Sequence, residues 1–285
     1  MQKITPFLWF DNQVEQAANF YVSIFKNSKI HHVTQLTPEV KVADFALECF
    51  EFQGMDAGPM FKINPSISYM VNCANIQESD EYWAKLSEGA KVLMEYGKYD
   101  FAEKYGWLED KFGVSWQISV GESNQKITPC LLFVKENAGR AEEAIKLYTS
   151  IFKDSKVGDL SRYTDGPDKG RLNYGPFTIA GQEFVVMDSS MDHKFDFNEG
   201  TSLYVDCKDQ QEVDYLWDSL VKDGGEESQC GWLKDKFGVS WQIIPSRLIE
   251  LGNDPDAEKA QRVNQCMLGQ KKIIIEELEK AYRGE

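Results

Sequence analysis

No apolar run in this chain approaches the ~18 residues that a membrane-crossing helix needs. The opening residues, MQKITPFLWF, lack a basic segment followed by a long apolar stretch and a small-residue cleavage site. They read as the start of a folded strand rather than a secretory leader, and a cytoplasmic protein is expected. Positive charge is scarce: 31 Lys and Arg against 46 Asp and Glu leave a formal net charge of −15. A field of that sign repels phosphate backbones and anionic lipids. The nearest approach to a basic run, Lys271-Lys272, sits in an acidic C-terminal segment. Neither nucleic acid nor a membrane surface is therefore expected as a partner. The six cysteines, Cys49, Cys73, Cys130, Cys207, Cys230 and Cys266, form no CxxC and no Cys/His cluster of zinc-like spacing. They read as small buried hydrophobes in a reducing compartment. Histidine is scarcer still, with His31, His32 and His193 the whole supply.

What the chain does have is repetition. GWLEDKFGVSWQI at Gly106–Ile118 returns as GWLKDKFGVSWQI at Gly231–Ile243. QKITPFLWF at Gln2–Phe10 returns as QKITPCLLF at Gln125–Phe133, and YVSIFKNSKI at Tyr21–Ile30 as YTSIFKDSKV at Tyr148–Val157. The offsets of 123, 127 and 125 residues drift only by loop insertions. A period of that size is a whole domain, far beyond solenoid units of ~20–50 residues. The 285 residues, 42% hydrophobic, suffice for two such domains. They divide as 1–121 and 122–246, with an extension over 247–285. Trp83, Trp107 and Trp116 pair with Trp217, Trp232 and Trp241, as core rings would; Leu132 stands where Trp9 would recur.

Each domain carries a fainter internal echo. ITPFLWF is an apolar strand meeting Asp11 and Asn12, good helix caps. A helix follows with Ala17, Ala18, Tyr21 and Phe25 on one face. KIHHVTQL, ADFALECFEF and MFKIN read as strands after it. ISYMVNC is another apolar strand, leading to a helix with Tyr82, Trp83 and Leu86. The second domain repeats the scheme with RLNYGPFTIAG, EFVVMD and SLYVDC. One helix covers only one face of its sheet, yet ITPFLWF and SISYMV are apolar on both. The uncovered face must close on another sheet, which leaves a cup suited to a small molecule. After Asn253 the sequence is mostly helical, starting at Asp-Pro-Asp and breaking near Gly269.

These strand–helix–strands units, with ITPFLWF, FYVSIFKNSKI and GWLEDKFGVSWQI, resemble the PhnB-like branch of the vicinal oxygen chelate superfamily, often named demethylubiquinone methyltransferase. Relatives include glyoxalase I, bleomycin-resistance proteins and extradiol dioxygenases. The resemblance spans nearly the whole chain, twice. It implies an α+β fold of tandem βαβββ modules forming two cup-shaped barrels, plus a C-terminal helix. It also implies that the two domains sit as relatives' subunits do, an intramolecular pseudo-dimer, with which a further homodimer is compatible. The methyltransferase name finds no support, since DGPDKG and DGGEE are turns rather than a cofactor-binding glycine loop.

Metal-using relatives place His and Glu on the first and last strands of paired modules. The resemblance puts Thr5, Gln117, Thr128 and Gln242 at those positions, poor ligands for a divalent ion. His31 and His32, adjacent on a strand, should face opposite sides; His193 lies in a loop. By the same resemblance Thr5, Phe7 and Trp9 face one cup with Ser115 and Gln117, and Thr128, Cys130 and Leu132 face the other with Ser240 and Gln242. Trp9 is the candidate for stacking on a planar ligand. The expected function is a metal-free small-molecule-binding module with an apolar or aromatic cup and no cofactor, whose ligands an acidic surface would select as neutral or cationic. The alternative is a metal-dependent lyase, isomerase or dioxygenase with an atypical ligand set recruiting Glu48, His31 or His32.

Overall fold

The computed structural model describes residues 2–121 and 123–285; Met1 and Glu122, the expected first residue of the second repeat, lie outside them. Four modules follow one another, each opening on a strand and a helix. The first holds β1 (Ile4–Phe10), α1 (Val14–Ile24), β2 (Lys29–Gln35), β3 (Lys41–Leu47) and β4 (Phe50–Asp56). The second holds β5 (Ile67–Cys73), α2 (Ile76–Leu86), β6 (Lys91–Tyr99), β7 (Ala102–Glu109) and β8 (Ser115–Val120). The third holds β9 (Ile127–Phe133), α3 (Ala141–Ile151), the short β10 (Lys156–Val157) and β11 (Ser161–Arg162), then β12 (Leu172–Ile179) and β13 (Gln182–Asp188). The fourth holds β14 (Thr201–Cys207), α4 (Gln210–Val221), β15 (Glu226–Glu227), β16 (Trp232–Lys234) and β17 (Ser240–Pro245). In every module the last strand lies parallel to the first. Helices α5 (Ser246–Gly252), α6 (Ala257–Leu268) and α7 (Ile275–Arg283) complete the chain. None of the described helices is long and apolar enough to cross a membrane.

Two compact units result. One comprises Gln2 and Pro6–Thr201 and contains the order β1-β4-β3-β2 and the nine-stranded sheet β10-β12-β13-β9-β5-β8-β7-β6, with β11 on β12. The other comprises Lys3–Thr5 and 202–285 and contains the order β15-β16-β17-β14. The nine-stranded sheet joins the two repeats directly, because β5 pairs antiparallel with β9, Ser68 opposite Cys130 and Met70 opposite Thr128. Each of these strands opens its module and would otherwise leave a row of backbone groups unpaired.

The repeated phrases owe their persistence to buried polar bonds. In DKFGVSW, the Asp110 carboxylate accepts the backbone N–H of Phe112 (2.8 Å) and Val114 (3.1 Å), the Trp116 indole (2.8 Å) and the Tyr21 hydroxyl of α1 (2.8 Å). Asp235 repeats the pattern with Phe237, Val239 and Trp241. Gly113 closes the turn with φ +88°, as the sequence suggests. Gly106 has another reason: a Cβ there would sit 2.5 Å from the Trp83 ring. In QKITP, the Gln2 and Gln125 amides each bond both backbone groups of one residue, Glu51 and Glu183. Lys126 pairs with Glu78 at 2.6 Å and Lys3 with Glu212 at 2.8 Å, each carboxylate lying in the first turn of its helix.

Three local expectations are corrected. Asp11 and Asn12 do not cap α1; Asp56, at the end of the neighbouring strand, accepts from Gln13 N (2.7 Å) and Val14 N (2.9 Å) instead. ADFALECFEF is not one strand but a hairpin turning at Glu48-Cys49, both with positive φ. MFKIN is loop. The expected break near Gly269 is present, Asp256 capping α6 at its other end. The tail's Leu248, Leu251, Val263, Ile273 and Leu278 form a core with Ile244 of β17, and Tyr204 of β14 packs against it.

Candidate functional site

Alternation along the strands separates a helix-covered face from a cup face. On β8, Trp116 and Ile118 are fully buried beneath α2, while Ser115 and Gln117 take the opposite side. On β9 that side carries Thr128, Cys130 and Leu132, all buried. Gln117 and Cys130, assigned to separate cups from the sequence, therefore belong to one face of one sheet, brought together by the β5–β9 ladder. The Gln117 amide donates to Ser68 Oγ at 2.8 Å and its carbonyl accepts the Tyr105 hydroxyl at 2.7 Å. Ser115 Oγ accepts the Trp107 indole at 2.7 Å. Burial pushes the Cys130 thiol up to about 12, with Gln117 and Ser68 opposing that rise, so the sulfur stays protonated at neutral pH. Tyr105, with its hydroxyl also raised by burial, meets Tyr99 and Phe101 edge-on at the β6–β7 hairpin.

Further along the same face is a cavity of about 330 Å³ whose lining includes Met70, Asn72, Thr128, Tyr174, Pro176 and Val185. Its size suits a small molecule. Of the expected site residues, Thr128 lines it, and Cys130 lies one strand from Val185, its register partner. Tyr174, Lys156 and Glu183 belong to it as well and were not singled out from sequence, because only the pairing register of β10, β12 and β13 brings them together. A second concavity of about 260 Å³, at Asn12, Glu15, Gln16, Asn19, Lys41 and Asp56, is built from groups already engaged: Lys41 pairs with Glu15 and Asp56 holds the start of α1.

The remaining expected residues lie elsewhere. Phe7 and Trp9 run along β1 beside Gln53 and Met55 of β4. Trp9 donates its indole N–H to Gly58 O at 2.8 Å and meets Phe61 edge-on at 5.0 Å. Thr5 counts with the second unit, as do Ser240 and Gln242 on the face of β17 opposite Trp241 and Ile243. There Gln242 donates to Ser202 Oγ at 2.9 Å, repeating the Gln117–Ser68 bond, while Ser240 Oγ is buried with no hydrogen-bond partner among the described residues.

The donor set does not fit the metal that the fold's relatives use. Gln117 has both ends of its amide bonded to protein, and Thr128 takes a 3.4 Å bond from Asn72. Among the described residues no group of three or more His, Cys, Asp and Glu side chains could hold an ion. The alternative ligands are engaged too. Glu48 accepts Lys26 N and the Tyr82 hydroxyl at the hairpin turn. His31 and His32 do not face opposite sides: the ladder shifts register between Ile30 and His32, and the imidazoles meet Glu51 (2.8 Å) and Asp44 (3.2 Å). Glu51 and Asp44 share a face, since Asp44 opposes Gln53, two residues beyond Glu51. His193 bonds Ser189 Oγ at 2.8 Å in its loop, and burial lowers its pKa.

Comparisons with known proteins agree with this architecture. No curated protein matches the chain. Glyoxalase I from Zea mays superimposes with a TM-score of 0.58 at 12% identity over 84% of this chain and 90% of that one. A putative dioxygenase from Bacillus subtilis gives 0.52 at 10% identity over 99% and 96%. At such identities the likeness shows the fold alone, a glyoxalase fold. A putative 3-demethylubiquinone-9 3-methyltransferase, PhnB protein, from Bacillus cereus is 36% identical over 42% of this chain and its own full length, with a TM-score of 0.40. The family model described as 3-demethylubiquinone-9 3-methyltransferase matches residues 2–119 and again 125–244, and the chain belongs to that PhnB-like family as a tandem duplicate.

Proposed function

We propose that the protein is a metal-free small-molecule-binding module whose ligand occupies the cavity on the cup face of the nine-stranded sheet. The observation that carries this reading is the pairing of a ligand-sized cavity with first- and last-strand positions that hold bonded amides and hydroxyls instead of metal ligands. Met70, Pro176 and Val185 give it apolar walls, Tyr174 an aromatic one, and Asn72 and Thr128 a polar end. That combination anchors an organic ligand by burial and orients it by few bonds. The formal charge of −15 disfavours anionic ligands. The family's methyltransferase description gains nothing from these residues, because no glycine-rich strand-to-helix loop is present among them to cradle a nucleotide-like cofactor.

The β5–β9 ladder supports reading the two repeats as an intramolecular pseudo-dimer. The six cysteines, all free, suit a reducing, cytoplasmic setting. A thermal-shift screen of neutral and cationic planar compounds tests the function. A ligand in the cavity stabilises the native chain by mass action, and Met70→Trp, which fills the cavity, abolishes that shift while leaving the unliganded melting transition cooperative. Shifts that persist in Met70→Trp, or none for any compound, would refute the assignment.

A further inference from the structure

The cavity's two charged residues point to a narrower ligand class, an inference that rests on the cavity being the ligand site. Lys156, Thr178 and Glu183 lie in one cross-strand row: Lys156 opposes Thr178 on β12, and Thr178 opposes Glu183 on β13. All three line the cavity. Adjacent strands are about 4.8 Å apart, so the two charged residues have backbones roughly 10 Å apart. Both side chains are long enough to reach a small molecule lying between them.

They are not used up by the protein. Lys156 makes no ion pair among the described residues, although acidic side chains outnumber basic ones by 46 to 31. Glu183 is held in place, with no cationic partner among the described residues. Ser123 Oγ donates to one carboxylate oxygen at 3.0 Å, and Gln125 clamps the backbone N–H (3.0 Å) and C=O (2.9 Å). A fixed carboxylate and an uncommitted ammonium on one wall of a cavity whose other walls mix apolar side chains with uncharged polar ones select against either charge alone. A simple anion would meet Glu183 and the acidic field of the chain; a simple cation would meet Lys156. A molecule carrying both charges satisfies both.

We infer that the cavity takes an amphipathic zwitterion, an α-amino acid with an aromatic side group or a close relative. Its carboxylate would lie toward Lys156 and its ammonium toward Glu183, with the side group against Tyr174, Pro176 and Val185. A volume of about 330 Å³ accommodates one such molecule.

Isothermal titration with four probes of one shape tests this: L-phenylalanine, 3-phenylpropanoate, 2-phenylethylamine and 3-phenyl-1-propanol. The amino acid should bind at least roughly tenfold more tightly than each of the others, the scale of one charged hydrogen bond. Lys156→Met should erase its advantage over the amine, and Glu183→Gln its advantage over the carboxylate. Glutamine keeps an acceptor for Ser123, and Lys156 lies exposed on a two-residue edge strand, so both variants should retain the fold. Equal binding of the neutral alcohol would overturn the inference and leave the cavity as a ligand site. Binding by none of the four would overturn the inference, and only failure of the broader screen as well would remove the cavity reading itself.

Discussion

Two regions of the molecule carry the same device on the last strand of a module and use it differently. Gln117 bonds Ser68 in the nine-stranded sheet, and Gln242 bonds Ser202 in the second unit, at 2.8 and 2.9 Å. Around the first, Tyr105 completes the amide's bonding and Met70 lines an open cavity. Around the second, Tyr204 takes Met70's place and Ile244 that of Ser119, and both pack against the C-terminal helices. The hairpins differ to match. Twenty-three residues separate Trp83 from Gly106, but only fourteen separate Trp217 from Gly231. Where the long β6–β7 hairpin stands in one repeat, the tail comes in on the other. Cys230 N and Gly231 N donate to Gln270 O and Lys271 O, both at 2.7 Å. Duplication thus preserved the scaffold and left each copy's concave face to be either lined or filled.

That contrast can be broken at several points. The largest effect should come from the filled side: Leu278→Ala should cost about 2–5 kcal/mol in urea unfolding, because its side chain is wholly buried in the tail core. The matching change on the open side, Met70→Ala, should cost about 1 kcal/mol or less, since its side chain already borders empty space. Similar costs for the two would remove the distinction.

Asp110→Asn should come next, at about 1–3 kcal/mol, because an amide nitrogen cannot accept from both Tyr21 and Trp116. It should also change the pH dependence. Burial lifts the Asp110 carboxyl from an ordinary 3.8 to about 6, against the opposing pull of Trp116, Tyr21, Phe112 and Val114. The folded state then binds this proton more tightly than the unfolded chain. Its contribution to stability is whole below about pH 4 and lost as the pH rises through about 6. The difference in stability between pH 4 and pH 6.5 should therefore shrink in Asp110→Asn; an unchanged difference would show that the carboxyl titrates normally.

Tyr105→Phe, which leaves the buried Gln117 carbonyl without its donor, should cost about 1–3 kcal/mol by chemical denaturation. Trp9→Leu should matter least, at about 1 kcal/mol, and should leave affinity for cavity ligands unchanged, because Trp9 is bound to Gly58 and Phe61 on another sheet. A tenfold loss of ligand affinity in Trp9→Leu would move the site to β1.

Much of the fold is legible in the residues. Repeats of whole phrases announce the modules, and alternation in GVSWQI sets Gln117 against Trp116. Pairing across repeats is not legible, because β5 and β9 are apolar on both faces and nothing local names their neighbour. Nor is the hairpin at Glu48-Cys49, which lacks the glycine present at the equivalent Ala180-Gly181 turn. The register shift beside His31 overrode strict alternation. The cavity's Lys156, Tyr174 and Glu183 went unread because register alone, without any motif, brings them together.

The central claim, a cup that works without a metal, is tested most directly by elemental mass spectrometry of protein purified without chelator or affinity metal. The account predicts transition-metal content far below one ion per chain and ligand binding unaffected by later chelation. Close to one bound ion per chain, surviving dialysis and lost in Gln117→Ala, would contradict it.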